Sequence, residues 1–286
     1  MPIIGPTILG KFHTCAWSKM PFPLVLFLLL TVAGCQSQED SSITILPAHA
    51  HNDYEHPRPL LDALSYSFKS IEADVFAIGD SLFVAHDFED IATGRTLCQL
   101  YLDPLRHIIK ANNGSVYGNG EELILLVDIK SSGLETYMLL NELLSKYQDI
   151  VSYFENGQKI QQAILVVVSG NRPIEYMQQQ TFRIAGFDGR LEDLNSGISP
   201  TLMPMVSDNW NKHFDWNGIG TMPDNEKVKL HEISKNAIDQ GYILRFWATP
   251  NATPNQRTAI WTELKEAGVG LIGVDELEEL HSFYLK

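Results

Sequence analysis

Residues 43–54 read ITILPAHAHNDY, and this stretch decides the fold class. An apolar, β-branched run ends directly in two histidines, an asparagine and an aspartate. A doubly wound nucleotide-binding sheet carries a glycine-rich phosphate loop after its first strand, and none follows here. The sequence therefore favours a parallel barrel, in which polar groups at the carboxyl ends of the strands form the site.

From this stretch to the C-terminus, strand-like and helix-like segments alternate. Apolar strands are predicted at residues 43–48, 70–77, 123–129, 163–168, 182–187, 201–206, 242–247 and 269–274. Helices are predicted at residues 60–68, 103–111, 134–147, 173–180, 191–195, 227–240, 254–267 and 275–284, and an extra short strand at 81–85. Eight alternating pairs predict a single-domain (β/α)₈ TIM barrel.

The N-terminal segment has the features of a targeting sequence. Basic residues precede an apolar run at residues 22–32, too short to span a bilayer, and small residues then lead to Cys35. This pattern predicts a lipoprotein signal peptide over residues 1–34, a lipidated Cys35 with a polar tether over 35–42, and the barrel over 43–286. An ordinary signal peptide is the alternative.

With Gln36 after the cysteine, the pattern predicts a bacterial cell-envelope location, anchored in the outer membrane through Cys35. The formal net charge of −14 argues against a nucleic-acid partner. Beyond the leader and Cys35 only Cys98 remains, which excludes a disulfide framework. The sequence does not determine the oligomeric state.

Acidic residues fall at the ends of two neighbouring strands. Glu72 and Asp74 stand two apart in SIEADV, so their side chains share one face, and Asp128 precedes Lys130 by the same spacing in LLVDIK. Three converging carboxylates suit one Mg²⁺ or Ca²⁺. The alternative is a structural ion pair with Lys130, but one lysine cannot neutralise three acids.

Two histidines flank this acidic group. His51 follows the first strand and His86 follows the short extra strand. Phosphodiester hydrolysis needs one group to deprotonate the nucleophile and another to protonate the leaving alcohol, and imidazole titrates near neutrality. We expect these histidines to be the acid–base pair.

The succession His…Glu-x-Asp…His-Asp…Asp-x-Lys resembles the glycerophosphodiester phosphodiesterase and phosphatidylinositol phospholipase C-like superfamily. The strings HAHNDY, SIEADV, VAHD, LYLDPL and LLVDIK are most similar to the branch of altered inheritance of mitochondria protein 6 and related bacterial lipoproteins. The resemblance implies His51 and His86 as catalytic residues, Glu72, Asp74 and Asp128 as metal ligands, and Lys130 as a phosphate contact. It also implies a glycerophosphodiester or phospholipid-type substrate.

The chain departs from the glycerophosphodiesterases in two places. Those enzymes follow the first histidine with Arg-Gly, whereas Asn52 follows His51 here and is expected to take a weaker form of the arginine's role. His49 competes with His51 for the first catalytic position and is otherwise expected near the substrate. Trp247, at the end of the seventh strand, either borders the pocket or is a packing residue.

Three further stretches end strands at the same rim, Ser-Gly-Asn-Arg at residues 169–172, Asp-Gly-Arg at 188–190 and Asp-Asn-Trp at 208–210. They either contact the leaving group or are turn residues.

Two rival functions remain open. His49 and His51 resemble the metal-binding pair of amidohydrolases and of histidinol-phosphatase-type phosphoesterases, although those enzymes need further histidines and a late strand-end acid, for which Asp275 is the one candidate. The other rival is a non-catalytic barrel lipoprotein that binds a ligand.

Overall fold

Eight parallel strands close into a barrel in the computed structural model, which describes residues 43–286. The barrel strands are β1 Leu46–Ala50, β2 Phe68–Ile78, β4 Leu123–Ile129, β7 Ile164–Gly170, β9 Gly186–Gly189, β10 Met205–Asn209, β11 Ile243–Trp247 and β12 Leu271–Val274. Each strand pairs with the next, and β12 and β2 both pair with β1. The predicted TIM barrel is confirmed.

The remaining strands lie outside the ring. β3, Ser81–Val84, forms a hairpin with the end of β2. β5 Tyr153–Glu155, β6 Gln158–Ile160 and β8 Phe182–Arg183 form a small antiparallel sheet of their own.

Helices connect the strands and cover the barrel. They are α1 Leu61–Ser65, α2 Asp103–Ala111, α3 Gly133–Ser145, α4 Ile174–Gln179, α5 Asp224–Asp239, α6 Pro254–Glu266 and α7 Leu277–Tyr284. Their apolar faces pack on the outward side chains of the strands and form the larger hydrophobic core. Within residues 43–286, no helix is both long and apolar enough to cross a membrane.

The barrel interior changes character along its axis. Its lower part is a second, smaller apolar core that includes Ile124, Leu126, Leu165 and Val167. Two residues further along, the same inward faces of β4 and β7 carry Asp128 and Ser169. Because side chains alternate along a strand, the polar groups collect in one layer at the carboxyl ends.

The predicted fifth strand and helix differ from the observed elements. Residues 182–187 split, because β8 pairs with β5 in the small sheet while β9 enters the barrel. The predicted helix at 191–195 is a single 3₁₀ turn, Leu191–Asp193, which ends because Leu194 leaves the helical conformation at φ −59° and ψ 135°.

Candidate active site

Three carboxylates converge at the carboxyl ends of β2 and β4. Strand register aligns Asp74 with Asp128, and Glu72 lies one inward position below Asp74. One oxygen of each lies within 4.8 Å of the other two. Glu72 and Asp74 are buried, so the charges are held together out of bulk water. The alternation predicted from sequence thus brings the proposed ligands together.

Two cations contact these acids. Nζ of Lys130 lies 3.0 Å from Oδ2 of Asp74 and 3.4 Å from Oδ2 of Asp128. Nη1 of Arg245, from β11 on another part of the ring, lies 3.1 Å from Oε2 of Glu72. Lys130 is the cation that the sequence predicted beside these acids, and the tertiary structure adds Arg245 as a second one. Three carboxylates still outnumber two cations.

Burial and the neighbouring carboxylates raise the pKa of two of these acids, whereas Arg245 and His49 lower the pKa of Glu72. Burial, with the charges of Glu72 and Asp128, raises the pKa of Asp74 to about 6 despite Lys130. Burial also raises the pKa of Asp128. Oδ1 of Asp74 is buried and has no hydrogen-bond partner among residues 43–286. A divalent cation would satisfy that oxygen and offset the charge, so these carboxylates fit an oxygen-ligated metal.

His51 is oriented by an acid from the last strand connection. Its Nδ1 lies 2.7 Å from Oδ1 of Asp275, which follows β12. Burial lowers the pKa of His51, but the hydrogen bond to Asp275 and the charge of Glu72 outweigh it, and the net shift is upward. No group within residues 43–286 hydrogen-bonds to Nε2, so this nitrogen is available to a substrate.

His86 is oriented by Tyr54. The phenol donates to Oδ2 of Asp74 at 2.8 Å, and its oxygen lies 3.2 Å from Nδ1 of His86. Because the phenol proton is committed to Asp74, Nδ1 of His86 is the donor of the second bond. The described residues offer no partner to Nε2 of His86 either, so both histidines are held through Nδ1 and leave Nε2 free.

His49 lies inside the barrel and is fully buried. Its Nδ1 is 2.7 Å from Oγ of Ser70, and its Nε2 is 2.7 Å from Oε2 of Glu72. Burial and the charge of Arg245 lower the pKa of His49 to about 4, so the ring is neutral at physiological pH. With both nitrogens engaged, His49 does not reach a substrate. The expectation that it contacts substrate is corrected to a role in holding Glu72.

The remaining predicted residues lie around the mouth. Asn52 follows His51 in a left-handed conformation, at φ 45° and ψ 45°. Trp247 is half-buried and shares with His51 a cavity of about 540 Å³, part of which is open solvent. Cys98 is a half-buried free thiol, and Cys35 lies outside the described residues.

The rival metal pair of His49 and His51 does not form. His49 bonds to Glu72 and Ser70, whereas His51 bonds to Asp275. Within residues 43–286, the group that could hold an ion consists of carboxylates and contains no histidine. This geometry argues against an amidohydrolase-type centre.

Sequence reasoning missed three residues of the site. Tyr54 is the last residue of the HAHNDY string, and its place in that motif could have identified it as a site residue. Asp275 was considered only for the rival function. Arg245 interrupts an apolar strand, YILRFW, and an inward charge in such a strand needs a partner. This position indicates that Arg245 has a buried partner, but the sequence does not identify the partner, because Glu72 lies 173 residues away.

Comparisons with known proteins agree with these motifs. A family model described as "AIM6-like phosphodiesterase domain" matches residues 38–188. The altered inheritance of mitochondria protein 6 homolog of Arthroderma benhamiae is 26% identical, over 85% of this chain and 85% of that protein. Altered inheritance of mitochondria protein 6 of Eremothecium gossypii is also 26% identical, over 82% of this chain and 68% of that protein.

A solved glycerophosphoryl diester phosphodiesterase from Parabacteroides distasonis has a TM-score of 0.49 and 13% identity, over 84% of this chain and 87% of that one. A likeness at this level carries no argument about activity.

The predicted location is overturned by the relatives. They are fungal proteins and point to a eukaryotic protein. The prediction of a bacterial outer-membrane lipoprotein is therefore wrong. A cysteine after an apolar run and small residues is too short a pattern to establish a bacterial sorting signal.

Proposed function

Because this chain belongs to the AIM6-like phosphodiesterase domain family and is a phosphodiesterase, we propose that it hydrolyses a glycerophosphodiester or phospholipid-type phosphodiester by two-histidine acid–base catalysis with one divalent cation. We infer the substrate class from the resemblance of the whole motif set to the glycerophosphodiester phosphodiesterase and phosphatidylinositol phospholipase C-like superfamily. The chain's acidic character argues against a nucleic-acid substrate.

One observation carries the proposal. Two histidines at the mouth of the barrel are each fixed through Nδ1 by a neighbour, Asp275 for His51 and Tyr54 for His86. Both keep Nε2 free, and Nδ1 of His86 lies 3.4 Å from Oδ2 of Asp74 in the acidic group. Catalytic imidazoles are commonly oriented through one nitrogen so that the other can transfer a proton.

The residues then have separate tasks. Glu72, Asp74 and Asp128 would hold the cation, which when bound supplies positive charge to the phosphoryl oxygens. We assign Lys130 to a non-bridging oxygen, because its half-buried ammonium lies beside two of these acids. One histidine accepts the proton of the nucleophile at Nε2, and the other donates its Nε2 proton to the departing alcohol.

The test is hydrolysis of bis(p-nitrophenyl) phosphate and of glycerophosphocholine by the full chain. We expect EDTA to abolish activity, Mg²⁺ or Ca²⁺ to restore it, and His51→Ala and His86→Ala each to lower kcat by roughly 10²–10⁴-fold. His107→Ala, an exposed histidine on α2, is the matched control. Wild-type rates in both catalytic-histidine variants would refute the assignment.

The same substrates separate the acid from the base. p-Nitrophenolate leaves without protonation, whereas an alkoxide does not. The variant that lacks the general acid should therefore lose far more activity on glycerophosphocholine than on the nitrophenyl ester. The variant that lacks the base should lose activity on both.

A further inference from the structure

A second polar cluster lies beside the acidic group at the barrel mouth, at the ends of β7, β9 and β10. Its centre is Asp188, which is buried. Oδ2 of Asp188 accepts hydrogen bonds from Ser169 at 3.0 Å, from Ser207 and from Nη1 of Arg190 at 2.8 Å. This oxygen is therefore committed to Arg190 and to two hydroxyl groups, whereas Oδ1 of Asp188 is buried and has no hydrogen-bond partner among residues 43–286.

Arg172 lies beside this cluster but has no acid of its own. Its Nη1 donates to the backbone oxygen of Asp188, and its Nε has no hydrogen-bond partner. Asp193 bonds instead to the backbone N–H of Arg190. Within residues 43–286, no carboxylate lies within salt-bridge distance of Arg172, whereas Arg190 has Asp188.

The two guanidinium groups lie close enough to affect each other. Burial and the charge of Arg190 lower the pKa of Arg172 and outweigh the charges of Asp188, Asp193 and Asp128, which act to raise it. A half-buried arginine near a second arginine, and without a carboxylate in salt-bridge contact, is stabilised by a bound anion.

The cluster adjoins the acidic site. Strand register aligns Ser169 with Asp128, and Ser169 donates to Asp188. The loop that carries Arg172 is held in place, since Asn171 bonds through its backbone N–H to Ile129 and through its side chain to Ser131. A group bound by Arg172 would thus belong to the same substrate as the phosphodiester.

We propose that Arg172 and Arg190 form a subsite for an anionic group, a carboxylate or a phosphate monoester, on one alcohol of the phosphodiester substrate. The inference rests on the proposed function and narrows its substrate class. Guanidinium groups bind both anions through paired N–H donors, so substrate pairs must distinguish them.

The test compares substrates that differ by one anion. Glycerophosphoethanolamine and glycerophosphoserine differ by a carboxylate, and glycerophosphoglycerol and its terminal phosphate monoester differ by a phosphate. For the anionic member that the wild type prefers, Arg172→Gln should lower kcat/KM about tenfold to hundredfold, mostly through KM. The member of the pair that lacks this additional anion should change less than twofold.

Arg172→Lys keeps the charge and should retain part of the preference, which separates charge from folding. Arg190→Gln should act in the same direction. Arg106→Gln, on α2 and paired with Asp149, is the control away from the mouth. An unchanged substrate preference in Arg172→Gln would overturn the subsite.

Failure of the proposed function has a different signature, because the wild type would then hydrolyse none of the four compounds. Equilibrium binding of each pair, measured by ligand-observed NMR, still decides the subsite in that case. Preference for an anionic member that disappears in Arg172→Gln supports it, and equal binding of both members by the wild type refutes it.

Discussion

Nδ1 of His51 lies 2.7 Å from Oδ1 of Asp275, although 224 residues separate them in the chain. The two meet because β1 and β12 are neighbours that close the barrel, so the first and last strand connections share one rim. The hydrogen bond lowers the pKa of Asp275 and helps to raise the pKa of His51.

Asp275→Asn should move the pH–rate limb of His51 to lower pH, because the neutral amide no longer stabilises the imidazolium. We also expect kcat to fall about tenfold or more, as the ring loses its orientation. The measurement is kcat/KM against pH. Glu276→Gln, beside it and paired with Arg257, is the control, and a limb that stays in place would contradict the assigned role.

Tyr54→Phe should lower kcat roughly tenfold with little change in KM, because Nδ1 of His86 and Oδ2 of Asp74 both lose the phenol. Steady-state kinetics on glycerophosphocholine measure this. Tyr117→Phe removes a phenol that donates to the backbone of Phe68 at 2.6 Å, away from the site. Equal losses in the two variants would mean that the effect is structural.

Gly170→Ala should damage both stability and the acidic site. The added Cβ would lie 2.0 Å from Oδ1 of Asp128 and 2.5 Å from the oxygen of Ile129, at a φ of +67°. Gly197 has a φ of +76°, and an added Cβ there would have no atom within 4 Å. Gly197→Ala therefore measures the cost of backbone strain alone, about 1 kcal/mol. Thermal denaturation and the Mg²⁺ or Ca²⁺ concentration for half-maximal activity should both change more in Gly170→Ala.

Asp53→Asn tests a buried carboxyl group two residues after His51. Burial raises the pKa of Asp53 to about 6 despite bonds from Leu60 and Tyr101. Since the folded state holds this proton more tightly than the unfolded state, the contribution to stability is full below pH 4 and is lost as pH rises through 6. The loss is at most about 3 kcal/mol.

Urea denaturation at pH 4.5 and pH 7 measures this loss in the free energy of unfolding. Asp53→Asn should lose less stability than the wild type over that rise. Asp62, whose pKa is lowered by hydrogen bonds from Arg58 that outweigh its burial, titrates below this pH range, so Asp62→Asn should keep the wild-type pH dependence and is the control. The same pH dependence in wild type and Asp53→Asn would show that Asp53 is already ionised.

Local pattern was enough to predict the barrel and its acidic face. Repeated apolar runs with polar carboxyl ends indicate barrel strands, whichever strands they pair with. The two-residue spacing of Glu72 and Asp74 puts both side chains on one face of their strand. The split of residues 182–187 was not predictable, because both halves read as strand and only their partners, β5 and β7, decide which sheet each joins.

The sequence by itself determined which residue types stand at the strand ends, and hence that carboxylates and imidazoles would collect at one mouth. The tertiary structure alone decided how they pair. Arg245 and Glu72, and His51 and Asp275, are joined across the ring or its rim, where barrel closure sets the distance and chain separation carries no information. His49 and His51 share one string, yet closure buries the first inside and leaves the second at the rim.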